Sequence, residues 1–350
     1  MSGQGIAMDG QQPGDADGQQ PRDADGQQPG DADGQQPGDA DGAQPGLLAP
    51  PPAGFRSGFV TFVGRPNAGK STLVNALAET KVAITSPTPQ TTRHRFRAIL
   101  DGHDYQLILV DTPGIHKAHD SLGEELNFSA LKALQSVDAI AFLLDATKPF
   151  GTGDVWILDH LQALKTPVVL VVSKTDLATP EQVEAQMAAA CTAYGFAAVC
   201  SLSAVSGAGL EALKSRLIAY LPAGPRWFPP GMRTDQDLST LIAEFIREKI
   251  LYKTRDELPH AVGVAVTELA YDKKKDVHVI EAVVYVERDS QKGMLIGKGG
   301  EMIKAIGTDA RADLAQLLAS RVYLDLRVKV RKNWRRDINQ VRRFGYGEGG

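Results

Sequence analysis

Only two cysteines, Cys191 and Cys200, occur in 350 residues. They have neither the paired spacing of a zinc site nor the density of a disulfide framework. That scarcity suits a reducing compartment and predicts that both thiols are buried as small apolar side chains. No apolar run reaches the roughly 18 residues of a membrane span, so no transmembrane helix is expected. Val, Ile, Leu and Phe are missing altogether from residues 9–46, where Asp-Gly-Gln-Gln-Pro-Gly-Asp-Ala recurs almost verbatim. Such a repeat has nothing to bury, and its glycines and prolines interrupt helix and strand, so a disordered tail is expected. Its aspartates lack the spacing of an EF-hand loop. An acidic, polar N-terminus is the opposite of a signal or transit peptide, and the reading is a cytoplasmic protein. Nine Asp against one Arg put residues 1–55 at −8, which leaves the remaining 295 residues at +4 within the overall −4. A slightly basic body keeps an anionic partner open.

What is present after the proline-rich linker, Leu47 to Phe55, is an α/β pattern. Short apolar runs at 59–63, 106–110, 139–144, 167–172 and 197–201 alternate with helical stretches, each run ending in a polar or glycine-containing turn. Those turns belong to the C-terminal edge of a parallel sheet, where ligands bind. The first turn reads Gly64-Arg65-Pro66-Asn67-Ala68-Gly69-Lys70-Ser71 and opens a helix at Thr72. Strand, G-x-x-x-x-G-K-S and helix together make a phosphate-binding loop, with backbone N–H groups on a polyphosphate, Lys70 reaching the β- and γ-phosphates and Ser71 on Mg²⁺.

The later turns fit one nucleotide. Asp111-Thr112-Pro113-Gly114 places a carboxylate for Mg²⁺ and a glycine N–H for the γ-phosphate, with Gly114 as a hinge. Ser173-Lys174-Thr175-Asp176 offers a carboxylate to the paired N1–H and N2–H₂ donors of guanine, which adenine lacks, with the Lys174 stem along the base. Ser201 to Gly207 brings Ser203 and the Ala204 N–H, the latter aimed at guanine O6. Between them, the Thr- and Pro-rich stretch Thr85 to Arg95 reads as a mobile loop that offers Thr92 to Mg²⁺ when triphosphate is bound.

A second domain follows the proline-rich stretch 221–231. Residues 237–251 carry a helical apolar stripe, and His260–Leu269 and Val277–Val286 alternate as strands about the turn Lys273-Lys274-Lys275. Ile296-Gly297-Lys298-Gly299-Gly300 then opens a helix with Ile303 and Ile306, and a last strand, Val322–Val330, leads into Arg331-Lys332-Asn333-Trp334-Arg335-Arg336. Glycines here let a single-stranded backbone lie against helix N–H groups and Lys298. Nine Lys or Arg against two Asp over 321–343 form a phosphate track, with Lys329, Arg331, Lys332 and Arg335 on it and Trp334 available for packing or base stacking.

The order GRPNAGKS, QTTRH, DTPG, SKTD, SAVSG resembles the guanine-nucleotide motifs of translation-factor-class GTPases. QTTRH, and the I-G-x-x-G stretch with its element order, resemble the Era family, a GTPase followed by a KH domain, over about residues 57–345. The resemblance implies a P-loop GTPase domain with a mostly parallel sheet (56–224), a linker (225–232) and a smaller α+β, type II KH domain (233–345). It implies GTP and GDP with Mg²⁺ as ligands and binding near the 3′ end of 16S ribosomal RNA. It further implies a role in maturing the 30S subunit, a monomer with no DNA partner, and association with the inner face of the cell membrane as an open question.

Two features bear on chemistry. The family pattern has Asn where this chain has Ser173, and the shorter hydroxyl predicts a weaker tie between the guanine and phosphate loops. The residues after Gly114 are Ile115 and His116, so no Gln orients the attacking water. The wider group includes enzymes that bind potassium through the residue matching Asn67, which with carbonyls of the Thr85–Thr92 loop would cage K⁺. Two alternatives stay open on sequence: an RNA-binding protein whose nucleotide site does not turn over, and a GTPase of transfer-RNA modification, which would need a further catalytic domain.

Overall fold

The computed structural model describes residues 51–88, 91–94, 96–111, 121–254, 258–344 and 346. The acidic repeat, Thr112, Pro113, Gly114, Ile115 and His116 lie outside the described residues.

The first domain runs β1 (Arg56–Gly64), α1 (Lys70–Ala78), β2 (Phe96–Asp101), β3 (Tyr105–Asp111), α2 (Ser121–Leu134), β4 (Ala139–Asp145), α3 (Thr152–Leu161), β5 (Val168–Ser173), α4 (Pro180–Ala193), β6 (Ala198–Ser201) and α5 (Leu210–Tyr220). The sheet order is β2-β3-β1-β4-β5-β6, parallel except for β2 against β3. Helices α1 and α5 pack on one face through Leu73, Val74, Leu77, Leu213 and Leu217. On the other, α2 and α3 pack through Ala130, Leu134, Ile157 and Leu161. With both faces covered, β4 and β5 are buried at every position and read as unbroken apolar runs. β1 lies between β3 and β4, so the chain leaves it first to one side and then to the other. Its C-terminal end is the crevice where such sheets bind ligands.

The second domain runs α6 (Leu238–Lys253), α7 (Leu258–Ala261), β7 (Gly263–Asp272), β8 (Val277–Val286), α8 (Asp289–Ile296), α9 (Glu301–Leu318), β9 (Arg321–Val330) and α10 (Ile338–Arg343). β7 pairs antiparallel and β9 parallel with β8, and α6 and α9 share one core with the sheet through Ile242, Ile246, Ile250, Ile306, Ala310 and Leu314. The Asp237 carboxylate caps α6 by accepting from the Thr240 N–H at 2.9 Å.

Several expectations are corrected. His260 is in the short helix α7, and the strand starts at Gly263. The carbonyls of Pro259, His260 and Val262 are taken by Arg93 from the other domain, a long-range contact that alternation cannot reveal. Helix α8 stands between β8 and the Gly297–Gly300 loop, an element absent from the expected order of helix, strand, strand, helix, strand. Phe55, read as linker, is buried. Cys200 is buried but Cys191 is exposed, because α4 faces inward along Val183, Met187 and Ala190, and Cys191 is one step off that stripe. The linker segment is bonded to the first domain. The Gln106 side chain accepts from the Trp227 and Phe228 N–H groups at 2.8 and 3.0 Å and donates to the Phe228 carbonyl at 2.9 Å. Asp235 then takes the Arg97 N–H and guanidinium at 2.7 and 2.8 Å, covering the outer edge of β2.

Candidate nucleotide and nucleic-acid sites

The phosphate loop follows β1 because Gly64 lets it turn: at φ 155 a Cβ there would stand 2.4 Å from the Leu143 carbonyl oxygen. The cleft it forms is lined by Pro66, Asn67, Gly69, Lys70, Ser71 and Thr72 on one side and by Thr85, Ser86, Thr91 and Thr92 on the other. The Arg65 side chain turns away to Asp154 of α3 at 3.2 Å, so only its backbone belongs to the cradle. Lys70 Nζ donates to the Gly64 and Arg65 carbonyls at 2.9 and 3.1 Å.

Burial pushes the Lys70 ammonium down to about 8, with the nearby Asp111 carboxylate partly offsetting it. A bound triphosphate favours the charged form and raises that value. Near pH 8, where the free protein holds a partly deprotonated Lys70, that group takes up a fraction of a proton on binding, and near pH 6.5, where it is already charged, it takes up none, so net uptake is greater at pH 8 than at pH 6.5. Calorimetric titration in buffers of differing ionisation enthalpy reads this directly, and equal uptake at both pH values would refute it.

Ser71, Thr92 and Asp111 converge although they come from α1, the intervening loop and β3. Ser71 Oγ is 2.9 Å from Thr92 Oγ1 and 3.3 Å from Asp111 Oδ2, and Thr92 Oγ1 is 3.2 Å from Asp111 Oδ2. An all-oxygen set of two hydroxyls and a carboxylate suits Mg²⁺. Neighbouring ligands of an octahedral Mg²⁺ with bonds of about 2.0–2.1 Å stand about 2.9 Å apart, so the trio fits that ion with little adjustment.

At the guanine side, Ser173 does tie its loop to the phosphate loop. Ser173 is buried, and its Oγ donates to the Ala68 carbonyl at 2.8 Å. Lys174 Nζ, at the next position, donates to the Asn67 carbonyl at 2.6 Å and to Asp145 Oδ2 at 2.8 Å. Consecutive residues at the end of β5 thus hold consecutive carbonyls of the phosphate loop. Burial would raise the Asp145 carboxyl, but hydrogen bonds from Lys174 and Thr147 outweigh it and hold it below its ordinary value. Ser173→Ala strands the Ala68 carbonyl, a loss of about 1–2 kcal/mol. The expected result is a fall of about tenfold in GDP and GTP affinity alike, with base preference kept; unchanged affinity would show the tie to be idle. Asp176 is exposed in a turn that Thr175 N–H fixes to the Leu202 carbonyl at 3.3 Å. Ser203, on the facing loop, accepts from the Ser206 N–H at 3.1 Å, which shapes the turn that carries Ala204.

On the second domain, Gly297, Lys298, Gly299 and Gly300 break α8 from α9. Gly297 has φ 73, and a Cβ there would meet Met302 at 2.8 Å. Gly299 and Gly300 have positive φ with open space around them, and Lys298 is exposed beside the half-buried Ile296. The expected track beyond is not one surface. Val322, Leu324, Leu326, Val328 and Val330 of β9 pack into the core, which sends exposed Lys329 to the face away from the helices. Trp334 is a correction: it is fully buried, and its indole N–H donates to the Ala261 carbonyl at 3.0 Å, so it packs and does not stack on bases. Arg335 is held by Glu287 through two bonds at 2.8 and 3.1 Å. Lys332 is exposed and Arg331 half-buried. Among the described residues no helix is long and apolar enough to cross a membrane.

Residues 59–174 match the family model described as a 50S ribosome-binding GTPase, and residues 257–335 match a KH domain. The class is therefore a P-loop GTPase carrying a KH-type RNA-binding domain. GTPase Era of Caldanaerobacter subterraneus is 45% identical over 292 residues, covering 83% of this chain and 98% of that one. Two solved structures each superpose with a TM-score of 0.81 at 36% identity over 84% of this chain. One is a variant of Aquifex aeolicus Era bound to GDP and AlF4⁻, covered over its whole length, and the other is Era with MgGDPNP and nucleotides 1506–1542 of 16S ribosomal RNA, covered over 99%. The chain belongs to the Era family of GTPases, and it hydrolyses GTP.

Proposed function

We propose that this GTPase is a cytoplasmic switch that binds 16S ribosomal RNA near its 3′ end through the KH domain and assists assembly and maturation of the small subunit. The observation that supports it most is the pairing, in one folded chain, of the Ser71–Thr92–Asp111 oxygen trio with the open Gly297–Gly300 loop. A neighbour of the same fold holds both a magnesium nucleotide and 16S nucleotides. Phosphate-loop N–H groups and Lys70 would hold the triphosphate, Asp176 would select the base, and Ser71, Thr92 and Asp111 would hold Mg²⁺, which would supply positive charge against the phosphates. Gly114 would present its N–H to the γ-phosphate, and its loop would relax with that of Thr92 when phosphate leaves. Lys298, Arg331 and Lys332 meet the RNA backbone. Sequencing RNA crosslinked to the protein in the GTP and GDP states tests this reading. Recovery of 16S 3′-end fragments in a nucleotide-dependent amount is expected, and their absence would reject it.

A potassium ion at Asn67 belongs to the same reading. Asn67 Nδ2 donates to the Pro87 carbonyl at 2.7 Å, which draws the Thr85–Thr92 loop over the phosphate loop and leaves the amide oxygen as the cation ligand. Such a cation would offset transition-state charge where no Gln stands after Gly114. Turnover should be faster in potassium than in sodium at equal ionic strength, and Asn67→Ala should abolish the difference. Equal rates in the unaltered protein would end the idea.

A further inference from the structure

The loop that carries Thr92 is fastened to the KH domain on both sides of that residue. Before it, the Thr91 carbonyl accepts from the Arg247 guanidinium of α6. After it, the Arg93 side chain leaves the loop, is buried in the second domain, and donates to the carbonyls of Val262, His260 and Pro259 at 2.6, 3.0 and 3.2 Å. Arg247 is itself fully buried and forked onto Glu244, with Nε and Nη2 at 2.8 and 2.6 Å from the two carboxylate oxygens. A bidentate guanidinium–carboxylate pair fixes both groups in one plane, so the donor presented to Thr91 has little freedom. Both residues lie on a helix whose Ile242, Ile246 and Ile250 are anchored in the KH core.

We propose that Arg247 is a positioning residue for the GTPase site: through the Thr91 carbonyl it sets the backbone that presents Thr92 to magnesium, so that helix α6 of the KH domain completes the triphosphate site. The proposal rests on Thr92 as a ligand of the magnesium–triphosphate form. A loop ordered only by nucleotide would give up part of the binding free energy to that ordering. A loop already held by α6 gives up less, and only in the state where Thr92 is used. The diphosphate does not need Thr92 in place and is therefore indifferent to Arg247.

The test uses full-length protein and fluorescence titration with GDP and with a non-hydrolysable GTP analogue across a range of Mg²⁺ concentrations. Thr92→Ala should weaken the analogue by about tenfold at saturating Mg²⁺ and spare GDP. Arg247→Met combined with Glu244→Gln removes the fork without leaving a buried carboxylate unpaired, and should reproduce that nucleotide-selective loss. Added to Thr92→Ala, the pair should cause no further loss, because both act through one ligand. Arg247→Lys keeps the charge beside Glu244 but not the planar fork. It should give a smaller loss of the same selectivity, and it carries the test should the double variant not fold. If Thr92→Ala spares the analogue, the magnesium reading fails and this inference with it. If Thr92→Ala is selective while the Arg247 variants weaken both nucleotides equally, weaken neither, or add fully to Thr92→Ala, then Arg247 supports the domain and not the ligand, and the proposal is overturned.

Discussion

Asp176→Asn is expected to weaken GTP binding by about 30- to 1000-fold, equivalent to about 2–4 kcal/mol. The carboxylate stands exposed in a short turn at the end of β5, with Lys174 at φ 61 aiming the turn outward and Thr175 tying it to Leu202 just after β6. Nothing else in that turn depends on the carboxylate, so the substitution acts on the base and not on the fold. An ionised carboxylate accepts from both N1–H and N2–H₂ of guanine, and such charge-assisted bonds are worth about 1.5–3 kcal/mol each. The amide keeps one acceptor and sets a donor against a donor. Xanthine carries a carbonyl where guanine carries the amine, so the Asn variant should prefer xanthosine triphosphate to GTP. Competitive titration of both nucleotides against both proteins decides it. Unchanged GTP affinity in the variant would remove Asp176 from the base pocket.

What could be read from the sequence was whatever short spacing encodes. A phosphate loop needs its glycines, Lys70 and Ser71 at fixed offsets between a strand and a helix, and that context is local. Asp111, Ser173 and Asp176 were placed because turns after buried strands of a parallel sheet gather at one edge. What escaped depends on contacts between distant segments. Arg93 was visible in QTTRH but had no stated task, since its three carbonyl partners lie more than 160 positions away. Glu244 and Arg247 were visible only as charges between apolar positions of a helical stripe, a pattern that usually marks a solvated edge. They are buried where the Thr91–His94 segment meets α6. Trp334 stood between packing and base stacking because a tryptophan among arginines resembles a stacking platform; packing holds, with Phe344 and Tyr346 closing over it at ring centroids 5.0 and 5.9 Å away. Lys329 was grouped with the residues of the later turn because a charge count ignores which face of a strand each residue takes.

Lys298→Asp combined with Gly299→Asp is expected to reduce RNA affinity by two orders of magnitude or more while leaving basal GTP hydrolysis at its original rate. The loop tolerates the change sterically. Lys298 is exposed, a Cβ on Gly299 would meet nothing within 4 Å, and aspartate is among the few side chains that accept the left-handed conformation found there at φ 60. The effect is electrostatic. One cation is removed and two anions are added where a phosphate backbone would pass, at the end of a helix whose N–H groups face the same ligand. Loss of a single phosphate contact lowers the salt dependence of binding by about one unit of slope, and the added repulsion weakens binding further as salt falls. The loop joins α8 to α9, while the nucleotide trio lies between α1, β3 and the Thr92 loop, so the two activities should separate. RNA binding is to be followed by filter retention of a 3′-terminal 16S fragment over a salt series, in parallel with phosphate release without RNA. If affinity and salt slope both survive, the G-x-x-G loop is not the cradle. If hydrolysis falls together with RNA binding, the KH loop communicates with the nucleotide site even without RNA, and the two activities are not separable by site.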